Sequence, residues 1–239
     1  MARRKPKQGI LEFRTWGGRR KGAGRPRTKG RAGVPHRARG RVKGSEPHHV
    51  TIRLVREIAR LRTKKLYPLI VRAIAKAQRE TFTVGAWTIQ DGHLHLVTEA
   101  DNWKALSNGM RALEIRLARA INRALNRIGR VFDDRYHARA LSTPREVRNA
   151  LVYVLQNARK HFEQKGITVA RDWLDRFSSA PWFDGWNAAA AEAARQLRRA
   201  AESALSLRTT PVASPRTWLL RVGWRKHGLL AASETPRAA

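Results

Sequence analysis

The order of strand and helix patterns along this chain predicts an α+β domain. Residues 48–55 and 81–99 are rich in β-branched and aromatic residues, which is typical of strands. Residues 67–79, 102–127 and 144–161 have apolar positions every three or four residues, which is typical of amphipathic helices. A further strand is predicted at residues 131–141. With 239 residues, the chain is long enough for one domain of good size with appendages.

The charge of the chain indicates a polyanionic partner. Its 50 Lys+Arg against 18 Asp+Glu give a formal net charge of +32, an excess that repels itself in a folded domain and is attracted to nucleic acid. The absence of cysteine excludes disulfides, zinc fingers and thiol catalysis, and suits a reducing compartment. No apolar stretch has the length of a membrane span or the pattern of a signal peptide. We therefore expect a cytoplasmic, nucleoid-associated bacterial protein with no membrane partner.

The first 47 residues are predicted to be a disordered basic arm. They contain 16 Lys+Arg and two acidic residues, with frequent Gly and Pro and few apolar residues. Within the arm, Gly24-Arg25-Pro26-Arg27 resembles the core of an AT-hook, whose arginines lie in the minor groove of DNA. The alternative is a tail that contacts phosphates without sequence preference. In both interpretations Arg25 and Arg27 are candidate DNA-binding residues.

The hairpin of residues 81–99 is predicted to lie at the centre of the sheet. Its two-residue turn, Asp91-Gly92, is typical of type I′ geometry, which needs positive φ at both positions. Because side chains alternate along a strand, His93 and His95 share one face, and the leucines that alternate with them face the core. Two imidazoles on one face can hold a divalent metal, or they are simply polar residues on the solvated side of the sheet.

His48 and His49, in the first strand, are adjacent and point to opposite faces, so they make a poor chelating pair. In the strand at 131–141, Asp133 and Asp134 are interpreted as a turn rather than a metal pair for the same reason. Arg135, in the same segment, is a candidate DNA-binding residue.

The helix at 102–127 combines an apolar stripe with a basic surface. The stripe consists of Trp103, Leu106, Met110, Leu113, Leu117 and Ile121. Arginines lie largely off this stripe and either form a solvated face or follow a phosphate backbone. Arg116, Arg119 and Arg123 are therefore candidate DNA-binding residues.

The helix at 144–161 carries the only tyrosine that has an amide partner one turn further on. Thr143-Pro144-Arg145-Glu146 is a strong helix start, with a Thr cap, Pro at the first position and Glu at the third. Tyr153 and Asn157, four residues apart, lie one above the other on the flank of the buried stripe, with Lys160 near them. From there, the phenol and the amide can reach a site on the sheet.

Residues 166–239 are predicted to be a Trp-rich helical extension without a catalytic constellation. They hold five of the eight tryptophans and an Ala-rich helix at 187–207. Packing onto the first domain is favoured for these aromatic residues, and stacking on unpaired bases is the alternative.

Four elements in this order resemble a known family. His93-Leu94-His95, then a long helix, then a Phe-x-x-Arg-Tyr strand ending at Tyr136, then Tyr153-x-x-x-Asn157, resemble the single-tyrosine HUH transposases and, among them, the REP-associated tyrosine transposases. The resemblance covers residues 46–165, which would form the catalytic domain at 48–165. The segment 179–186 also resembles bacterial members with extended C-termini. Members often have Pro-Asn before the first histidine where this chain has Asp-Gly.

The resemblance implies a ferredoxin-like antiparallel sheet with helices mainly on one face. It implies that His93, His95 and Asn157 bind Mg²⁺ or Mn²⁺, with Gln156 as the alternative third ligand. Tyr153 would attack the scissile phosphate of single-stranded or hairpin DNA and form a 5′-phosphotyrosine, with Lys160 assisting. A monomer and a homodimer are both open. Two other classes are alternatives: a non-catalytic nucleic-acid-binding protein, which the charge and the arm suit equally well, and a relaxase or replication initiator, which the short chain disfavours.

Overall fold

The computed structural model describes residues 42–58, 60–206 and 210–236. Most of the predicted basic arm, including Arg25 and Arg27, lies outside the described residues. The described end of the arm contacts the domain, since the Pro47 carbonyl accepts a hydrogen bond from Leu141 N at 2.8 Å. None of the helices in these ranges is both long and apolar enough to cross a membrane.

The described residues contain one antiparallel sheet of four strands. These are β1 (His48–Arg53), β2 (Phe82–Ile89), β3 (His93–Ala100) and β4 (His137–Ala140), and their spatial order is β2-β3-β1-β4. Helix α1 (Tyr67–Ala75) connects β1 to β2, and α2 (Trp103–Ala124) connects β3 to β4. This connectivity and strand order are those of the ferredoxin-like fold, so the predicted α+β class is confirmed.

The sheet separates two apolar cores. One core joins α1 and α2 to the sheet face that carries Ile52, Leu94 and Leu96. The other joins helix α3 (Pro144–Gln164) and the C-terminal segments to the opposite face, where Ala86 and Val97 lie. The two crossover helices thus share one face, as expected, and α3 covers the other.

The start of α3 is fixed by local chemistry. Thr143 Oγ1 accepts a hydrogen bond from Glu146 N at 3.2 Å, and Glu146 Oε2 accepts one from Thr143 N at 3.1 Å. This reciprocal capping box, with Pro144 in the first turn, confirms the predicted helix start. It sets the phase of α3, and therefore which of its side chains face the sheet.

The C-terminal extension packs along β2 and over α3. It contains α4 (Ala188–Leu205), α5 (Trp218–Arg221) and two 3-10 helices, Ala180–Trp182 and Gly223–His227. Residues 177–179 run along the outer edge of β2, where Ile89 N donates to the Phe177 carbonyl at 2.8 Å. Pairing of this kind protects an edge strand from other chains.

Two further features join the extension to the domain. A bidentate ion pair links Arg62 to Asp175, with N–O distances of 2.7 and 2.8 Å and an aspartate that is fully buried. Trp182, Trp186 and Trp224 are buried, which favours core packing over base stacking for these rings.

Three local predictions are wrong. Neither Asp91 nor Gly92 has positive φ, so the hairpin turn is not type I′. Leu54 N and Leu61 N donate to the carbonyls of Gly92 and Asp91, at 3.0 Å each, and these tertiary bonds select another turn. The strand expected at 131–141 is interrupted, because the four residues 133–136 oppose only two residues of β1, Ile52 and Arg53. The buried stripe of α2 begins at Leu106, since Trp103 is 62% exposed.

Candidate active site

The two histidines of β3 lie together on the face of the sheet that α3 covers. Their ring centroids are 4.7 Å apart and their planes are nearly perpendicular, at 85°. In the β1–β3 pairing, Thr51 lies opposite His95 and Arg53 lies opposite His93. Side chains of directly opposed residues on one face are neighbours, so four polar groups share this part of the sheet.

Tyr153 places its hydroxyl against this group. The phenol oxygen is 3.4 Å from His95 Nε2, and the two ring centroids are 4.9 Å apart. The other two tyrosines, Tyr67 and Tyr136, belong to the core on the opposite side of the sheet. Helix α3 therefore brings the single tyrosine of this face to the imidazole pair, as the sequence predicts.

His95 is held from both sides. Its Nδ1 is 3.1 Å from Thr51 Oγ1, while its Nε2 faces the Tyr153 hydroxyl. A neutral imidazole has one N–H and one lone pair, so the bond at one nitrogen sets the role of the other. The Thr51 hydroxyl can accept a hydrogen bond from Nδ1, and the Tyr153 hydroxyl can donate one to Nε2, so the two contacts fit the tautomer with its proton on Nδ1 and its lone pair on Nε2.

The amide predicted to act with the tyrosine is buried. Asn157, one turn after Tyr153, is 2% exposed, and its Nδ2 has no hydrogen-bond partner. The alternative ligand, Gln156, faces the C-terminal extension, where its Nε2 donates to the Ala232 carbonyl at 3.0 Å. Of the two candidate amides, only that of Asn157 is left without a partner for its NH₂ group.

The imidazoles of the site are neutral at physiological pH. Burial, followed by the charges of Arg53 and His161, lowers the pKa of His93 to about 4. Burial and then His93 and His49 lower the pKa of His95 to about 2. Burial raises the pKa of Tyr153, and the nearby positive charge of Arg53 opposes that effect. The resting site thus contains neutral imidazoles with free lone pairs and a protonated phenol.

Four residues of this site were not identified from the sequence. The His49 ring centroid lies 5.2 Å from that of His95 and 5.4 Å from that of Tyr153. Thr51 and Arg53 follow His49 on the same face of β1. The charge of His161 reaches both histidines of β3.

Strand alternation from His49 gave the signal for Thr51 and Arg53. The signal for His161 was its position four residues after Asn157, about one helical turn further on.

The donor set of the site fits a divalent cation in part. Among the described residues, no three His, Cys, Asp or Glu side chains are grouped so that they could hold a metal ion. Two neutral imidazoles and a buried amide are a different set, since imidazole nitrogens and amide oxygens both bind divalent ions. Because the Nδ2 of Asn157 has no hydrogen-bond partner, no bond of that group prevents the amide from turning its oxygen to a cation. His93, His95 and Asn157 are thus suitable ligands.

The predicted basic residues do not all converge on this site. Arg116, Arg119 and Arg123 are on α2, which packs on the opposite face of the sheet from Tyr153. Arg135 is exposed in the segment before β4. Lys160 is half-buried on α3, seven residues after Tyr153, and so lies on a similar side of the helix. The structure adds two arginines on the site's own face, namely Arg53 and Arg139, which lies opposite His49 in the β1–β4 pairing.

Comparison with protein-family models gives no match, and comparison with curated proteins gives none either. Among solved structures, the chain is similar to a REP-associated tyrosine transposase bound to a REP hairpin. The identity is 21% and the TM-score 0.48, over 61% of this chain and 82% of that one. Because these values are low, no function is inferred from this similarity. The function proposed below rests on the geometry of the site.

Proposed function

We propose that the chain is a metal-dependent tyrosine transposase, a DNA endonuclease that cleaves and rejoins single-stranded DNA through a 5′-phosphotyrosine. The observation that carries the proposal is the approach of the Tyr153 hydroxyl to 3.4 Å from His95 Nε2, beside His93. A phenol next to paired neutral imidazoles joins a nucleophile to ligands for a Lewis acid.

The covalent step conserves the bond that is broken. The Tyr153 oxygen forms a bond to phosphorus, the bond from phosphorus to the 3′ oxygen breaks, and the phenol proton ends on the released 3′-OH. The attack of a 3′-OH on the phosphotyrosine reverses these changes and rejoins DNA. No external energy source is needed, because a phosphodiester is exchanged for a phosphodiester.

His95 does not suit the role of general base for this attack. Its pKa of about 2 is far below that of a free phenol. A proton transfer across about eight pKa units costs on the order of 10 kcal/mol, since one unit is about 1.4 kcal/mol. Nearby positive charge is the alternative way to favour the phenolate. Burial raises the pKa of Tyr153 and the charge of Arg53 opposes that effect, which supports a role for Arg53 in activation.

His93, His95 and Asn157 would hold the cation. A bound Mg²⁺ or Mn²⁺ would supply Lewis-acid stabilisation of charge on the scissile phosphate. Imidazole ligands favour Mn²⁺ over Mg²⁺, which prefers oxygen ligands. Thr51 orients His95 for this role through Nδ1, as the partners of metal-binding histidines commonly do.

The net charge of +32 supports a polyanionic substrate, and an extruded or single strand is the form in which a phosphate can reach a half-buried tyrosine. Residues 1–47 and 166–239 are proposed to flank the catalytic domain as a DNA-binding arm and a supporting extension.

The test is incubation with single-stranded hairpin DNA and Mn²⁺, followed by a denaturing gel. A DNA–protein adduct is expected with the native protein and with Tyr67→Phe, which changes a tyrosine of the other core. The adduct should be absent with Tyr153→Phe. His95→Ala should also abolish cleavage while salt-sensitive DNA binding persists. Binding without any adduct, over a range of hairpins, would instead indicate a non-catalytic nucleic-acid-binding protein.

A further inference from the structure

The loop between α2 and β4 presents an isoleucine almost completely to solvent. Ile128 is 93% exposed, more than any other large hydrophobic residue in the described ranges. A scattered exposed apolar residue needs no explanation by itself. The surroundings of Ile128, however, combine a fixed loop, a cationic rim and a position at the end of the sheet that carries Arg53 and His93.

Hydrogen bonds fix the shape of this loop. Asn122 Nδ2 donates to the Gly129 carbonyl at 2.9 Å, and Arg127 Nη1 donates to the Arg130 carbonyl at 3.1 Å. Asn126 and Gly129 have positive φ, 49° and 98°, which gives the chain two sharp changes of direction around Ile128. Ile128 thus lies at the tip of a turn whose conformation is fixed by these hydrogen bonds.

The loop leads directly into the strand edge beside the site. Val55 N donates to the Val131 carbonyl, and Asp133 N donates to the Arg53 carbonyl, both at 3.0 Å. Arg53 is in turn the cross-strand partner of His93. Three residues span at most about 11 Å, so Ile128 lies within that distance of the segment that pairs with β1.

The rim of this end of the sheet is cationic. Two segments, 53–60 and 126–135, together with the β2–β3 turn, meet here. They carry five exposed arginines, namely Arg53, Arg56, Arg60, Arg130 and Arg135, of which Arg130 donates to the carbonyls of Phe132 and Asp133. The carboxylates in the same segments are the exposed ones of Glu57 and Asp91 and the half-buried ones of Asp133 and Asp134, so the arginines are in excess. An apolar tip within an arginine-rich rim is the arrangement used by side chains that enter base steps, because the arginines bind phosphates on each side of the opened step.

We propose that Ile128 is a wedge that inserts between stacked bases of nucleic acid and unstacks the strand at the end of the sheet that carries Arg53 and His93. This inference rests on the proposed function for the identity of the substrate. In this proposal the loop 126–130 opens the base of the stem of a DNA hairpin, called the foot below. A phosphate that is no longer held among stacked bases can then reach the site. The charge of the rim favours this occupant over an apolar protein surface.

The test uses DNA hairpins that carry 2-aminopurine at one stem position each, since this base fluoresces when it is unstacked. With the native protein and Ile128→Leu, emission should rise severalfold at one or two adjacent positions near the foot of the stem. Ile128→Ser should lose most of this rise and bind the hairpin roughly five- to tenfold more weakly. It should bind an unstructured oligonucleotide within about twofold of native. Ile115→Ser, which changes an exposed isoleucine of α2, is the matched control and should behave as native.

The outcomes separate this inference from the proposed function. An Ile128→Ser protein that unstacks hairpins as native would overturn the wedge, whatever the activity of Tyr153. A native protein that forms no adduct but unstacks the foot through Ile128 would overturn the transposase and leave the wedge standing. A loss of affinity for hairpin and unstructured DNA alike would show a contact without unstacking, and would also overturn the wedge.

Discussion

Thr51→Val tests how the site orients His95. The change replaces a hydroxyl by a methyl group of similar size on a strand, so both the fold and the strand propensity should be preserved. It removes the 3.1 Å contact to His95 Nδ1. One neutral hydrogen bond contributes about 0.5–1.5 kcal/mol, and losing the partner of a metal-binding histidine typically costs about 10–100-fold in affinity or activity. We therefore expect about a tenfold lower rate of adduct formation, with a shift of the Mn²⁺ titration to higher concentration.

The assay follows adduct formation on denaturing gels across a Mn²⁺ series, together with thermal unfolding of the same samples. Thr51→Ser keeps the hydroxyl and should recover most of the rate. Nitrogen NMR of His95 should show the proton on Nδ1 in the native protein and a mixture of tautomers in Thr51→Val. A Thr51→Val protein within about twofold of native at every Mn²⁺ concentration would refute the orienting role.

Three further predictions concern stability. Burial lowers the pKa of His49 to about 4. The unfolded state therefore binds more protons between about pH 6.5 and 4, and stability, complete above this window, falls as pH drops through it. Denaturant unfolding, measured in the presence of a chelator, should show that the free energy of unfolding of His49→Leu falls less between pH 6.5 and 4 than that of the native protein. An equal fall in both proteins would exclude His49 as a source of this pH dependence. Gly109→Ala places a Cβ atom 2.1 Å from the Phe82 ring and should cost about 1–3 kcal/mol, whereas Gly92→Ala meets open space and should cost less; equal midpoints would contradict this packing. Asp175→Asn removes a charge from the buried ion pair and should lower the free energy of unfolding by about 3 kcal/mol. High salt should not destabilise the native protein by a similar amount, because salt screens a buried pair only weakly.

The sequence predicted what depends on short-range patterns. The capping box at Thr143 sets the phase of α3, and alternation along β3 sets the phase of His93 and His95. Together these place Tyr153 on the imidazole face. The ferredoxin-like sheet itself was expected from the resemblance of motif order, and the strand pairing confirms it.

Features that depend on tertiary contacts were not predictable in this way. The type I′ turn was wrong because distant amides, those of Leu54 and Leu61, bind its carbonyls. Alternation along β1 places Thr51 and Arg53 on one face with His49, but their position opposite His95 and His93 depends on the register of the sheet. The arginines of α2 were correctly placed off its apolar stripe, but the sequence could not show that the sheet lies between α2 and Tyr153.

The most direct test of the account is to identify the amino acid that carries the DNA. The adduct formed with hairpin DNA and Mn²⁺ is digested with protease and nuclease, and the modified peptide is sequenced by tandem mass spectrometry. The account predicts a single nucleotide phosphate on the phenol oxygen of Tyr153. A phosphate on Tyr67, on Tyr136 or on a residue that is not tyrosine would contradict it.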